Sequence, residues 1–234
     1  MGSASVVDFV GLRASGKRQS QVLVDGGTEG TTCAIRCVHI PTGAAPSEGS
    51  HDHPIDQLFY VIEGTLSLEI AGRAVEAGPG SLVIVPAKTP HHNWNGGTEA
   101  VFALIINGPV GATERPVRGD GQYLYKIDFD ALALNPKRAP QQILKGFPDG
   151  WTLACIRCPI DSGTPEGLHT HPVDQFFYVI SGKLNVEIAG SVEKVGPGAL
   201  VKFPAETSHR NWNDDPEPVL HLTFKPPASR PATD

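Results

Sequence analysis

The sequence predicts an all-β protein made of two tandem antiparallel β-barrels. Three observations predict it. The second half repeats the first: HDHPIDQLFYVIEGTLSLEIAG begins at His51, and HTHPVDQFFYVISGKLNVEIAG begins 118 residues later at His169. That register continues without a gap to Asn95 and Asn213, with 27 identities in 45 positions. Short runs rich in Val, Ile, Leu and Phe recur between glycines, which is the pattern of strands joined by tight turns. The 26 Gly and 21 Pro among 234 residues suit a turn-rich chain better than a helical one.

Taken in order, Val7-Asp8-Phe9 matches Ile127-Asp128-Phe129 at an offset of 120, and each is followed by room for one helical turn, over 10–14 and 130–134. Ile35-Arg36-Cys37 pairs with Ile156-Arg157-Cys158 at an offset of 121. This pairing makes the loop before the first His pair three residues longer in the first half. Strands are expected at 59–62, 65–70, 81–85 and 100–106, separated by Gly64, Gly72, Gly78-Pro79-Gly80 and Gly96-Gly97. Gly182, Gly190 and Gly196-Pro197-Gly198 repeat the punctuation. The Gly- and Pro-rich stretch 108–121 sets the boundary, giving domains 1–118 and 119–234. The Pro-rich tail 226–234 is expected to fray.

Charge and composition narrow the function. A net charge of -6 and a pI of about 5.8 argue against a nucleic-acid surface. The longest apolar runs, 81–85 and 101–106, are too short to span a membrane, and the start MGSASVVDF has no signal-peptide pattern. Four cysteines with this spacing make neither a disulfide scaffold nor a zinc ribbon, so small buried core residues in a reducing, cytoplasmic setting are expected.

The histidines carry the chemistry. His51 and His53 on a strand present both imidazoles to one face. Gln57 follows four residues on, and His91 arrives from a later strand. His169, His171, Gln175 and His209 repeat the spacing. Three imidazoles and an amide oxygen suit a divalent transition metal with open coordination positions, one per domain; Fe, Mn, Ni, Zn, Co and Cu all accept such donors.

These residues resemble those of the cupin superfamily, and the whole chain is similar to a bicupin. The first cupin motif is Gly, five residues, His-x-His, three or four residues, Glu, six residues, Gly. His51, His53, Gln57 and Gly64 fit it, as do His169, His171, Gln175 and Gly182. The leading Gly is Gly163 in the second copy and Ala45 in the first. The second motif is Gly, five residues, Pro-x-Gly, two residues, His, three residues, Asn. Gly80, Pro86, His91 and Asn95 fit it, as do Gly198, Pro204, His209 and Asn213, with Lys88 and Glu206 replacing the inner Gly. The resemblance implies a jelly-roll-like double-stranded β-helix per domain, with the metal inside its mouth.

Gln stands in both copies where the family usually has Glu. A neutral ligand set leaves the full charge of the ion to polarise a bound group, and it removes an obvious general base. The resemblance to cupins with three His and one Gln points to Lewis-acid isomerase or lyase chemistry on a small carbonyl or enolisable metabolite. A quercetinase- or diketone-dioxygenase-like enzyme using Fe or Cu is the alternative, and a non-catalytic small-molecule-binding cupin is the third reading. A small-molecule substrate is expected, with no nucleic acid and no membrane; a homo-oligomer is compatible with the outer faces of such barrels.

Other positions take subsidiary roles. Phe59 and Phe177, two residues after each Gln, are expected to line the pocket with an apolar wall. Arg36 or Arg157 would bind a substrate carboxylate if it points inward, and is exposed otherwise. His221 aligns with Ala103 and is a candidate base peculiar to the second domain. Asp56 and Asp174 fit either a turn or a residue that orients a ligand. Lys202 in place of Ile84 suggests that the two pockets differ.

Overall fold

The computed structural model describes residues 4–26, 33–46, 49–108, 122–146 and 150–227. The elements of the first half are β1 (Ser5–Val6), α1 (Phe9–Ala14), β2 (Gln19–Val24), β3 (Ala34–Ile40), β4 (Gln57–Glu63), β5 (Leu66–Ile70), β6 (Arg73–Ala77), β7 (Ser81–Val85), β8 (His91–Trp94) and β9 (Val101–Asn107). The second half continues with β10 (Leu124–Lys126), α2 (Phe129–Leu134), β11 (Ala139–Lys145), β12 (Thr152–Cys158), β13 (Ser162–Gly163) and β14 (Gln175–Ser181). It ends with β15 (Leu184–Ile188), β16 (Ser191–Val195), β17 (Ala199–Phe203), β18 (His209–Asn213) and β19 (Val219–Lys225). The expected frayed tail lies mostly outside the described residues, as does nearly all of the expected boundary stretch.

Each unit is two antiparallel sheets folded over one core. The first pairs a sheet of order β10-β7-β4-β9-β3-β2 with one of order β6-β5-β8. The second pairs β1-β17-β14-β19-β12-β11 with β13-β18-β15-β16. Along β3, Val38 and Ile40 alternate inward to meet Phe59, Val61, Val83, Val85, Val101 and Ala103. In the second unit Ile156 and Cys158 meet Phe177, Val179, Val201, Phe203 and Val219. Burying one such side chain contributes about 1.5–3 kcal/mol.

The two units exchange their first strands. One compact unit is Asp8–Ile127; the other is Asp128–Ala228 together with Met1–Val7. Accordingly β1 pairs with β17, with Val7 N donating to Gly198 O at 3.1 Å. β10, which follows the linker, pairs with β7, with Ile127 N donating to Gly80 O at 3.1 Å. Each short strand covers a sheet edge that would otherwise expose unpaired backbone groups.

The helices are single turns held by their caps. Asp8 accepts from Gly11 N and Asp128 from Ala131 N, both at 2.9 Å. The motif glycines are required by geometry. Gly182 has φ of 75°, and a Cβ there would lie 2.7 Å from Pro218 O; Gly64, with φ of 70°, meets Ala100 O in the same way.

Strand pairing corrects the sequence alignment at β3. Arg36 lies opposite Ile105, and Ala154 lies opposite Thr223. Ile105 and Thr223 in turn lie opposite Phe59 and Phe177. Asn95 donates to Ile40 O at 3.0 Å and Asn213 to Cys158 O at 3.1 Å. The offset at β3 and β12 is therefore 118, not 121. Arg36 corresponds to Ala154, and His39 corresponds to Arg157. The loops leading to His51 and His169 have equal length. The extra residues of the first half fall instead between β2 and β3, where the offset drops from 120 to 118. The matching Ile-Arg-Cys triplets are a coincidence of composition, because a tripeptide carries too little pattern to specify register.

Candidate metal centres

In each unit the two His of the first motif stand on the short segment before the long inner strand, and the third His opens the strand beside it. His51 bridges His91 backbone to backbone, and His169 bridges His209 in the same way. The backbone pairing brings the side chains together. In each triad one ligating atom from every His lies within 4.8 Å of the others. Ring centroids are 4.8–5.3 Å apart in the first triad and 4.4–5.0 Å apart in the second.

Backbone carbonyls set the tautomers. His51 Nδ1 lies 2.9 Å from Gly49 O, and His91 Nδ1 lies 2.8 Å from Thr89 O. His169 and His209 repeat this with Gly167 O at 2.9 Å and Thr207 O at 2.7 Å. A carbonyl only accepts, so Nδ1 carries the proton and Nε2 keeps its lone pair. Gln57 and Gln175 open β4 and β14, and their amides reach the triads: Gln57 Oε1 is 3.1 Å from His91 Nε2, and Gln175 Oε1 is 3.2 Å from His209 Nε2. Gln57 Nε2 donates to Asn107 Oδ1 at 2.9 Å, and Gln175 Nε2 to Thr223 Oγ1 at 3.0 Å. Each amide is thereby turned with its oxygen toward the histidines.

This places two lone pairs against each other with no proton between them, which is repulsive unless a cation sits there. Four neutral N and O donors converge on that point, so the set fits a divalent transition ion. Electrostatics agrees. Burial lowers the pKa of His91 and His209. Burial first, then the charges of Lys225, His169 and His209, lowers His171 to about 4. These three imidazoles favour the neutral form and need lose no proton to bind an ion.

A cavity of about 450 Å³ opens beside the first triad. His51, His53 and Gln57 form one wall; Val38 and Ile105 are apolar; Asn93, Asn107, Arg18 and Arg36 supply polar groups. Arg18 Nη2 donates to Asn93 Oδ1 at 2.6 Å. Sequence reasoning missed Arg18, Asn93 and Asn107. The first was legible, since Lys17-Arg18 recurs as Lys137-Arg138 at the offset of 120 that relates the helices.

All eight expected ligands are brought together, four in each unit. The other candidates divide. Arg36 lines the cavity. Arg157 does not correspond to it and donates instead to Asn135 O, at the end of α2, at 2.6 Å. Phe59 and Phe177 face inward but lie deeper: Phe59 is not among the cavity-lining residues and belongs to the core, and Phe177 packs on Phe203 and His221. His221 is inside the second barrel and wholly buried, 3.8 Å from Cys158 Sγ, and burial lowers its pKa to about 3. It is therefore a neutral core residue. Asp56 and Asp174 accept from Ala87 N and Ala205 N at 2.9 Å and so pin the loop before the third His. Lys202 pairs with Asp174 at 3.0 Å. It alternates outward from Val201 and Phe203, so it does not distinguish the pockets. The distinction lies elsewhere: where the first unit has Arg36, Ile105 and Asn107, the second has Ala154, Thr223 and Lys225. All four cysteines are buried and stand outside any disulfide among the described residues. Among the described residues no helix is long and apolar enough to cross a membrane.

A family model of the cupin domain matches residues 36–107 and again 157–224. An uncharacterized protein of Streptomyces coelicolor is 26% identical over 70 residues, covering 30% of this chain and 67% of that one. Among solved structures, salicylate 1,2-dioxygenase from Pseudaminobacter salicylatoxidans superposes with a TM-score of 0.75 at 14% identity, covering 96% of this chain and 84% of that one. AerE from Microcystis aeruginosa superposes with a TM-score of 0.69 at 13% identity, covering 97% and 98%. Ylba from E. coli gives 0.71 at 14% identity, covering 93% and 86%.

Proposed function

The chain belongs to the cupin domain family, and from that premise we propose that it is a metal-dependent enzyme whose first barrel cleaves a small oxygenated metabolite with dioxygen. The observation that carries this reading is the cavity beside the first triad. Three histidines and Gln57 would hold the ion at its wall, and the space suits a molecule of a few to about a dozen heavy atoms. Among its lining residues none is Asp, Glu, Tyr or Lys. Chemistry that depends on a protein carboxylate to move a proton is thus poorly served there.

The ion, when bound, would supply Lewis acidity and, if redox-active, the capacity to activate dioxygen. The chain's own residues do the rest. Gly49 and Thr89 hold the imidazoles in the ligating tautomer. Asn107 holds the Gln57 oxygen toward them. Val38 and Ile105 exclude water from one side, while Asn93 and Asn107 offer amides to substrate oxygens. The likeness in fold to a salicylate dioxygenase is compatible with this reading.

One observation favours Lewis-acid isomerase or lyase chemistry, and it concerns the second barrel. Lys225 stands where the first has Asn107, and its charge acts on His171 and His209. Burial lowers its own pKa, as a proton-transfer group requires. Metal content and oxygen consumption separate the two readings. Protein purified without a nickel column is assayed aerobically and anaerobically on diketones, phenols and enolisable acids. Iron or copper with oxygen uptake is the expected result; zinc, manganese or nickel with oxygen-independent turnover would establish the alternative.

A further inference from the structure

We infer that the first barrel recognises a substrate carboxylate through Arg36, with Arg18 beside it, and that the second barrel lacks this specificity. The inference rests on reading the first cavity as the substrate site. Arg36 is on the face of β3 that carries Val38 and Ile40 toward the interior, opposite Ile105, and it lines the cavity with the His51–His53 wall. It has no hydrogen-bond or ion-pair partner among the described residues. Arg18 is held at the same cavity by Asn93.

The charge balance demands an anion. Two guanidinium groups and the place of a divalent ion share a cavity whose described lining contains no carboxylate. The ligands are neutral imidazoles and a neutral amide, so no described lining residue offsets the charge of Arg36. A guanidinium offers a planar fork that matches a carboxylate with two parallel hydrogen bonds. A neutral diketone or a simple phenol would leave the Arg36 fork unpaired. The second barrel has Ala154 in place of Arg36, and Ala154 is buried in its core. Arg157, the apparent counterpart in sequence, is committed to the end of α2.

The test is binding rather than turnover. Metal-containing protein is titrated calorimetrically with two acid–amide pairs, 2-hydroxybenzoate with 2-hydroxybenzamide and pyruvate with pyruvamide. At least one acid is expected to bind at one site per chain, at least about tenfold more tightly than its amide. Arg36→Ala, which copies the second barrel, is expected to reduce that preference about tenfold or more, with Arg36→Lys retaining part of it. Arg36 is exposed, so both variants should fold, and thermal melting checks this. Equal affinity for acid and amide, no change in Arg36→Ala, two equivalent sites per chain, or failure of all four probes to bind would each overturn the inference. Failure of the enzyme reading is seen separately, as absence of stoichiometric metal or of turnover.

Discussion

Gln57 Oε1 and His91 Nε2 face each other at 3.1 Å as two acceptors. The geometry follows from what each group does with its other end. His91 gives its proton to Thr89 O, and Gln57 gives its amide hydrogen to Asn107 Oδ1. Asn107→Ala releases the amide to turn its NH2 toward His91. The expected result is a loss of about 10–100-fold in metal affinity at the first site, with the second unchanged. Competition with a chelator measures it, and Thr223→Val should do the converse. Unchanged affinity in both variants would contradict this role.

Each triad should fill independently. His53→Ala is expected to lower metal content from two ions per chain to one, and His171→Ala to do the same. Elemental analysis after dialysis decides it; two ions retained in either variant would reassign the ligands.

His221 makes the second barrel acid-sensitive. Its pKa is lowered in the folded state to about 3 from the ordinary 6.5. Below pH 6.5 the unfolded chain therefore binds a proton that the folded chain refuses. Stability is full above about pH 6.5 and declines as pH falls toward 3, by about 2 kcal/mol at pH 5. His221→Leu should remove that part of the slope in denaturant unfolding of metal-free protein. An identical slope would show that other groups carry it.

The replaced motif glycines keep the conformation that glycine favours. Lys88 and Glu206 have φ of 58° and 56°, and their amides donate to His53 O and His171 O at 2.6 and 2.7 Å. Lys88→Gly and Glu206→Gly should stabilise by up to about 1 kcal/mol. Gly182→Ala should destabilise by about 2 kcal/mol or more, because its added Cβ meets a backbone carbonyl. Urea midpoints with the opposite signs would refute the account.

Arg157 and Arg36 should behave differently. Arg157→Ala removes a hydrogen bond to Asn135 O and should cost about 1 kcal/mol of stability, with no effect on carboxylate binding. Loss of probe binding in this variant would mean that the sequence pairing, not the strand register, identifies the equivalent residues.

Repetition made most of the fold and both triads legible. His51, His53, Gln57 and His91 recur together at unchanged spacings, and a strand places residues two apart on one face whatever surrounds them. Glycines at 64 and 182 mark turns because few residues tolerate a positive φ with a carbonyl so close. These are local properties, and the sequence by itself determined them. The tertiary structure alone decided the register of β3 and β12, the exchange of β1 and β10 between units, and which amide end of Gln57 faces the histidines. Each is set by hydrogen bonds between segments far apart in the chain. Arg36 therefore has Ala154 as its counterpart, a pairing that the ladder to Ile105 and Thr223 establishes and the Ile-Arg-Cys triplets obscure.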